Sequence, residues 1–313
     1  FIREHATHPL DAQPFVLFVN FLEPHMPFFG PRDGQYPLDE IQLPPNFDDL
    51  PGPDQPLKTR LYQHAYYQAG HSGLPLRTEA DWRRMIANYW GLCSLVDTHV
   101  GAILDTLTAC GLDEHTIVVY TSDHGDMMGS HRLLAKCVMY EEAVRVPLLV
   151  RLPGQTASRR LRAPVSQIDV VPTLLDLMGQ PLPDGLQGRS LLPVLKGRDP
   201  VPARDVFIEW NGHNNGFGDV IGSVSVPEPM LELASRDEVA AAITDPVRTI
   251  ITMDGWKLNH SPLGEHELYN LDQDPYEMRN LAERPERRPR MEELAARIQR
   301  WQARTADSPT ARV

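Results

Sequence analysis

Between positions 86 and 107 apolar side chains fall at Ile86, Tyr89, Cys93, Val96, Val100, Ile103 and Leu107, in alternating steps of 3 and 4. That spacing collects them on one stripe of a helix, so the segment must lie against a core rather than stand in water. Thr78-Glu79-Ala80-Asp81 supplies a helix start with Thr78 as cap, and Gly111 stands where a left-handed residue closes a helix. A short loop later, residues 116–120 form an apolar run of strand length. Helix, short loop and apolar strand in succession are the grammar of a parallel α/β sheet, so the fold class expected is α/β.

Other segments extend this pattern. Residues 15–20 are a continuous apolar run suited to a strand covered on both faces. Pro24-His25-Met26-Pro27 then forces a loop, and residues 30–76, rich in Pro, Gly, Asp and Gln, read as a long surface excursion able to act as a lid or substrate-binding insertion. Residues 146–150 are the next strand, and residues 168–179 a helix with Pro172 in its first turn. Residues 206–210 are another strand, running into Asn211-Gly212-His213, whereas residues 216–247 are mixed in character.

The last third differs. Residues 247–253 and 256–260 flank Asp254-Gly255, a hairpin signal. A short strand at residues 267–271 and a helix at residues 291–301 complete a small antiparallel sheet with a helix packed on it. The expected division is residues 1–205, an α/β catalytic portion, and residues 206–313, a C-terminal subdomain.

Composition excludes several classes. At 42% hydrophobic, the 313-residue chain can bury a sizeable core. A formal charge of −12 argues against non-specific nucleic-acid binding, which needs a basic face. It also requires that any anionic substrate meet a locally positive site. No apolar run approaches the ~20 residues of a membrane span. Cys93, Cys110 and Cys137 are odd in number and widely spaced, which is neither a disulfide framework nor a CxxC metal pattern. Nothing demands an oxidising compartment, so of cytoplasm and periplasm the expectation is cytoplasm. Opening on Phe1 shortly before a strand, the chain reads as the interior of a longer protein. Its composition does not speak to oligomeric state.

Three sites carry candidate chemistry. Asp123 and His124 follow the 116–120 strand, where loops of open α/β sheets bind ligands, and together offer an oxygen and a nitrogen to a divalent metal. The competing reading is a polar turn with Asp123 capping backbone amides. Lys136 lies between Leu133-Leu134-Ala135 and Cys137-Val138-Met139, which favours a semi-buried ammonium gripping an anion over a solvated surface lysine. His25 is stiffened by prolines on either side, which suits a general acid or anion donor, against a loop histidine with no role.

These motifs, with Tyr140-Glu141-Glu142-Ala143-Val144-Arg145-Val146-Pro147, Gln187-Gly188-Arg189-Ser190-Leu191 and Glu267-Leu268-Tyr269-Asn270-Leu271, occur in the order found in sulfatases. Asp123-His124-Gly125-Asp126-Met127-Met128-Gly129 most resembles the branch of phosphonate monoester hydrolases and choline-sulfatase-like enzymes. The resemblance implies an alkaline-phosphatase-like sandwich, a mostly parallel sheet between helices, with a small C-terminal antiparallel subdomain. It implies Asp123 and His124 as ligands of Ca2+ or Mn2+, with histidine leaning toward manganese. Lys136 and His25 become catalytic residues on a small anionic ester, with no nucleic acid or membrane partner. Arg145, Pro147, Gly188 and Arg189 take structural roles, and His131 and His213 have none assigned.

One departure matters. The family's nucleophile is a cysteine, oxidised to formylglycine, in a Cys-x-Pro-Ser-Arg or Cys-x-Ala-x-Arg pattern; none of the three cysteines here has that context, and the family's paired N-terminal aspartates are absent. The expectation is a C-terminal portion of the enzyme, inactive by itself. Two alternatives stay open: a metal-dependent phosphotransferase or mutase with a serine or threonine nucleophile, and a non-catalytic binding remnant.

Overall fold

The computed structural model describes residues 1–7, 13–161, 163–197, 203–212 and 226–307. His213 and residues 216–225 therefore lie outside the described residues. The elements run α1 (Ile2–Ala6), α2 (Leu57–Ala69), α3 (Glu79–Ala109), β1 (Val118–Thr121), α4 (Glu141–Val144), β2 (Leu148–Arg151), α5 (Val170–Leu177), α6 (Leu192–Leu195), β3 (Val206–Glu209), α7 (Arg236–Thr244), β4 (Arg248–Ile251), β5 (Trp256–His260), β6 (Glu267–Asn270) and α8 (Arg288–Thr305). They fall into two compact units.

The first unit comprises residues 1–50, 62–136 and 142–158. Its spine is α3, opened by a full capping box: Asp81 N–H donates to Thr78 Oγ1 (3.2 Å) and Thr78 N–H donates to Asp81 Oδ2 (2.8 Å). Gly111, at φ 67°, ends it in a Schellman motif, its N–H donating to Thr108 O while Leu112 N–H reaches back to Leu107 O. Trp82, Met85 and Leu92 of α3 form a core with Phe28, Phe47, Leu76 and Leu134. The buried stripe is broad in the first half of α3 and thin beyond Val96.

Residues 30–76 are more than a surface excursion. They contain all of α2, and their first-unit parts, residues 30–50 and 62–76, bury Ile41, Phe47 and Leu76 and lie on α3 where Gly91 has no side chain: a Cβ there would fall 2.7 Å from Arg32 O. Arg32 secures the contact by donating to Ser94 O (2.6 Å) and Thr98 Oγ1 (2.8 Å).

The strand directions depart from expectation. β1 and β2 pair antiparallel, with Val119 opposite Val150 and Tyr120 opposite Leu149. Both sheets among the described residues are antiparallel, so the mostly parallel sheet is not what these strands form. Residues 15–20 carry no ladder there either, and Val16 (68%), Phe18 (79%) and Leu22 (75%) are exposed. Leu17, Val19 and Phe21 line an open groove of about 440 Å³ with Ile2, His99 and Ile103.

The second unit comprises residues 51–61, 137–141 and 159–313. Its sheet runs β3-β4-β5-β6, antiparallel throughout, with the hairpin turn at Asp254-Gly255. One face places Ile250, Leu258 and Leu268 against Leu294 and Ile298 of α8. The other face is polar yet buried. Asn259 Nδ2 donates to Glu267 Oε2 (3.0 Å), Thr249 Oγ1 to Asn259 Oδ1 (2.7 Å), and Lys257 Nζ lies 2.9 Å from Glu277 Oε1 and 3.1 Å from Glu141 Oε1.

Candidate active site

β1 ends at Thr121, and the chain turns through Ser122, Asp123, His124 and Gly125. Local hydrogen bonds fix this turn. Ser122 Oγ donates to His124 O (2.8 Å), and Asp123 Oδ1 accepts His124 N–H (2.9 Å). His124 Nδ1 lies 2.8 Å from Gly125 O, and a carbonyl only accepts, so Nδ1 carries the proton and Nε2 keeps its lone pair. That Nε2 sits 3.5 Å from Asp123 Oδ2. The Asp123 side chain is 84% exposed and His124 35%, so both donors are accessible. Partial burial raises the Asp123 pKa, but His124, backbone N–H groups and the Ser122 hydroxyl outweigh it and hold the carboxylate below its usual range. An ionised oxygen beside an imidazole of fixed tautomer fits a divalent cation. Among the described residues no group of three or more His, Cys, Asp or Glu comes together, so this pair is two ligands and not a complete shell.

His25 and Lys136 join the same place. His25 Nδ1 donates to Met26 O (2.9 Å), which leaves Nε2 to meet Lys136 Nζ at 2.9 Å. The His25 ring centroid lies 6.4 Å from that of His124. All four predicted site residues are therefore gathered within the first unit. Lys136 is half-buried, its Leu133, Leu134 and Ala135 flank in the core, as their apolar character implies.

The loop that carries Lys136 depends on a residue the sequence did not single out. Asp126 Oδ1 accepts N–H bonds from Met128 and Ala135, both 3.0 Å, closing residues 126–135 into a compact turn. Burial pushes the Asp126 carboxyl up to about 6, against the pull of those amides, Lys136 and His124. Within the loop Met128, His131, Arg132 and Ala135 all have positive φ. The signal available in sequence was Asp126 before Gly129, an Asx-turn composition.

His131 is a core residue and not a ligand at the site. It is 1% exposed and hydrogen-bonds Asn46 and Asp49. His71 was also missed. Its ring packs on Phe28 (5.7 Å) and Tyr66 (6.3 Å), and burial first, then repulsion from His25, holds it below its ordinary pKa.

The structural residues separate. Pro147 O accepts from Thr121 Oγ1 (2.9 Å), tying β2 to β1. Arg189 N–H donates to the buried Asp169 carboxylate (2.9 Å), and a Cβ at Gly188 would fall 1.8 Å from Ile168 O, so only glycine fits. Arg145 is exposed. All three cysteines are free thiols.

The Sulfatase family profile matches residues 3–180. The chain belongs to the sulfatase family, within the alkaline-phosphatase-like superfamily. It is 28% identical over 309 residues to the multifunctional alkaline phosphatase superfamily protein PehA of Trinickia caryophylli, covering 95% of this chain and 57% of that one. It is 30% identical over 281 residues to choline-sulfatase of Rhizobium meliloti (strain 1021), covering 87% and 47%. The crystal structure of phosphonate monoester hydrolase of Agrobacterium radiobacter superposes with a TM-score of 0.69 at 26% identity, covering 99% of this chain and 61% of that one. The chain thus spans about half the length of these curated relatives.

Proposed function

We propose that this chain is the metal-and-lysine portion of a hydrolase of sulfate esters, or of related phosphonate and phosphate esters, whose formylglycine nucleophile lies outside the 313 residues. The observation that carries the reading is Lys136 Nζ and His25 Nε2 meeting at 2.9 Å beside the Asp123–His124 pair. Lys136 binds a non-bridging oxygen of the ester anion and holds the charge that builds on it. With Nδ1 committed to Met26 O, His25 can gain and lose a proton only at Nε2, the atom facing that anion, from which it protonates the leaving oxygen. Asp123 and His124 would hold a divalent metal, Ca2+ or Mn2+, which would supply Lewis-acid polarisation of the ester.

Under this reading residues 1–205 belong to an alkaline-phosphatase-like α/β catalytic domain and residues 206–313 to a C-terminal subdomain. A cytoplasmic setting suits the free thiols. No described helix is long and apolar enough to cross a membrane.

The test uses the full-length protein with an aryl sulfate, an aryl phosphonate monoester and an aryl phosphate. Hydrolysis of at least one, cut by about 10²–10⁴ in kcat/KM in His25→Ala and by about 10²–10³ in Lys136→Ala, supports the reading. Phosphoryl delivery to an alcohol in place of water moves it to a phosphotransferase or mutase. Ester binding without any turnover leaves a binding protein. The 313-residue chain alone should bind metal weakly and turn over none of the three esters.

A further inference from the structure

His131 and Asn46 take no part in the chemistry above, yet a chain of contacts within the first unit leads from them to the His124 ring. His131 adopts φ 53°, and its N–H donates to Asn46 O (3.1 Å). Its Nδ1 lies 3.1 Å from both Asp49 O and Asp49 Oδ2, two acceptors, so that nitrogen carries the proton. Nε2 is then an acceptor and meets Asn46 Nδ2 at 3.1 Å. The second hydrogen of Asn46 Nδ2 goes to Glu142 Oε1 (3.0 Å). Each proton in this relay has one direction, and reversing the Asn46 amide would break both of its bonds.

Glu142 carries the relay to the metal loop. Its carbonyl oxygen presses on Gly125, where a Cβ would fall 2.0 Å away, and Ala143 O accepts Gly125 N–H (2.9 Å). Gly125 is thus fixed on two sides, and its own carbonyl is the acceptor that sets the His124 tautomer and ring plane. We propose that His131 and Asn46, acting through Glu142 and Gly125, are positioning residues that hold His124 Nε2 toward Asp123 and so set the affinity of the divalent-metal site.

This rests on the metal role assigned to Asp123 and His124. Partners one shell beyond a metal ligand typically change metal affinity by about 10–100-fold when removed. The His131 ring and the two bonds of Asn46 are such partners at one further remove, through a backbone contact that glycine alone permits.

The test is isothermal titration calorimetry with Mn2+ on chelator-stripped full-length protein, wild type against His131→Ala, Asn46→Asp and His131→Gln. Asn46→Asp keeps the volume and turns donor into acceptor opposite both partners. His131→Gln restores an acceptor oxygen toward Asn46. The expected result is a Kd raised about 10-fold or more in the first two, recovery to within about 3-fold in the third, and kcat largely restored at saturating Mn2+. Thermal denaturation separates the alternative: a lowered Tm with Kd within about 2-fold of wild type means a purely structural role and overturns the proposal. Should His131→Ala not fold, Asn46→Asp decides, and failure of both to fold overturns it as well. Wild-type protein that binds neither Mn2+ nor Ca2+ sinks the metal assignment itself, whereas wild-type binding with unchanged variants sinks only this inference.

Discussion

Lys257 is an ammonium with no exposed surface, held between Glu277 and Glu141 on the polar face of the second unit's sheet. Burial pushes Glu277 up to about 8 even with Lys257 beside it. Above about pH 8, where Glu277 is ionised, replacing Lys257 by Met would leave two carboxylates without their counter-charge. A loss of about 3–5 kcal/mol is expected, read as a lower urea midpoint at constant m-value. Asp126 presents a smaller case in the first unit. Asp126→Ala strands the Met128 and Ala135 amides at about 1–3 kcal/mol each where water cannot replace the carboxylate, and frees the loop before Lys136. Under the proposed function, ester hydrolysis by the full-length protein should fall more steeply than its Tm. Residues differ in how far sequence announced them. The sequence singled out His25 and Lys136 because prolines and apolar flanks mark them locally, and the two side chains meet at 2.9 Å. It did not single out Asp126, Asn46 or His71, since Asn46 acts on a side chain 85 positions away and, of the left-handed residues in the loop that Asp126 closes, only Gly129 is a glycine.

At the level of elements, termini were more readable than directions. The α3 cap and its Gly111 stop are set by neighbouring residues, and the Asp254-Gly255 hairpin likewise. Thr78→Ala should therefore cost only about 1 kcal/mol. Gly188→Ala must move backbone off Ile168 O and should lower Tm several-fold more than the cap variant does, by differential scanning fluorimetry. An apolar run states that a strand is covered but not which way its partner runs, and this is why β1 and β2 were expected in a parallel sheet and pair antiparallel. β5 and the entry to β6 bring His260 and His266 within 4.7 Å, ring to ring. Burial first, then His266, lowers the His260 pKa; burial lowers that of His266 against the opposite pull of Asp245 and Glu283. The unfolded chain gains these protons near pH 6.5, whereas the folded chain resists them to lower pH. Their contribution to stability is complete above about pH 6.5 and lost as pH falls below it. The urea midpoint should drop between pH 7.5 and pH 5.5, and the drop should shrink in a His260→Phe, His266→Asn double variant.

At the level of the whole molecule, a charge of −12 accompanies the Lys136–His25 pair to which the proposed function gives the ester anion. On that proposal an anionic ester would be repelled at long range and held only on arrival, and salt would screen the first effect far more than the second. The family and its order of motifs were legible across the chain because each motif is a short local string. The absent cysteine context was legible for the same reason. The packing of residues 30–76 was not, because Gly91 and Arg32 meet only after folding. The exposed run at Val16, Phe18 and Leu22, with its neighbouring groove, has a colloidal consequence. An extended apolar segment with unladdered backbone offers itself to any copy it meets, and like charge slows that encounter without preventing it. Sedimentation velocity of the 313-residue polypeptide should show a weight-average coefficient that climbs with loading concentration, more steeply in high salt, and that Val16→Lys with Phe18→Lys flattens.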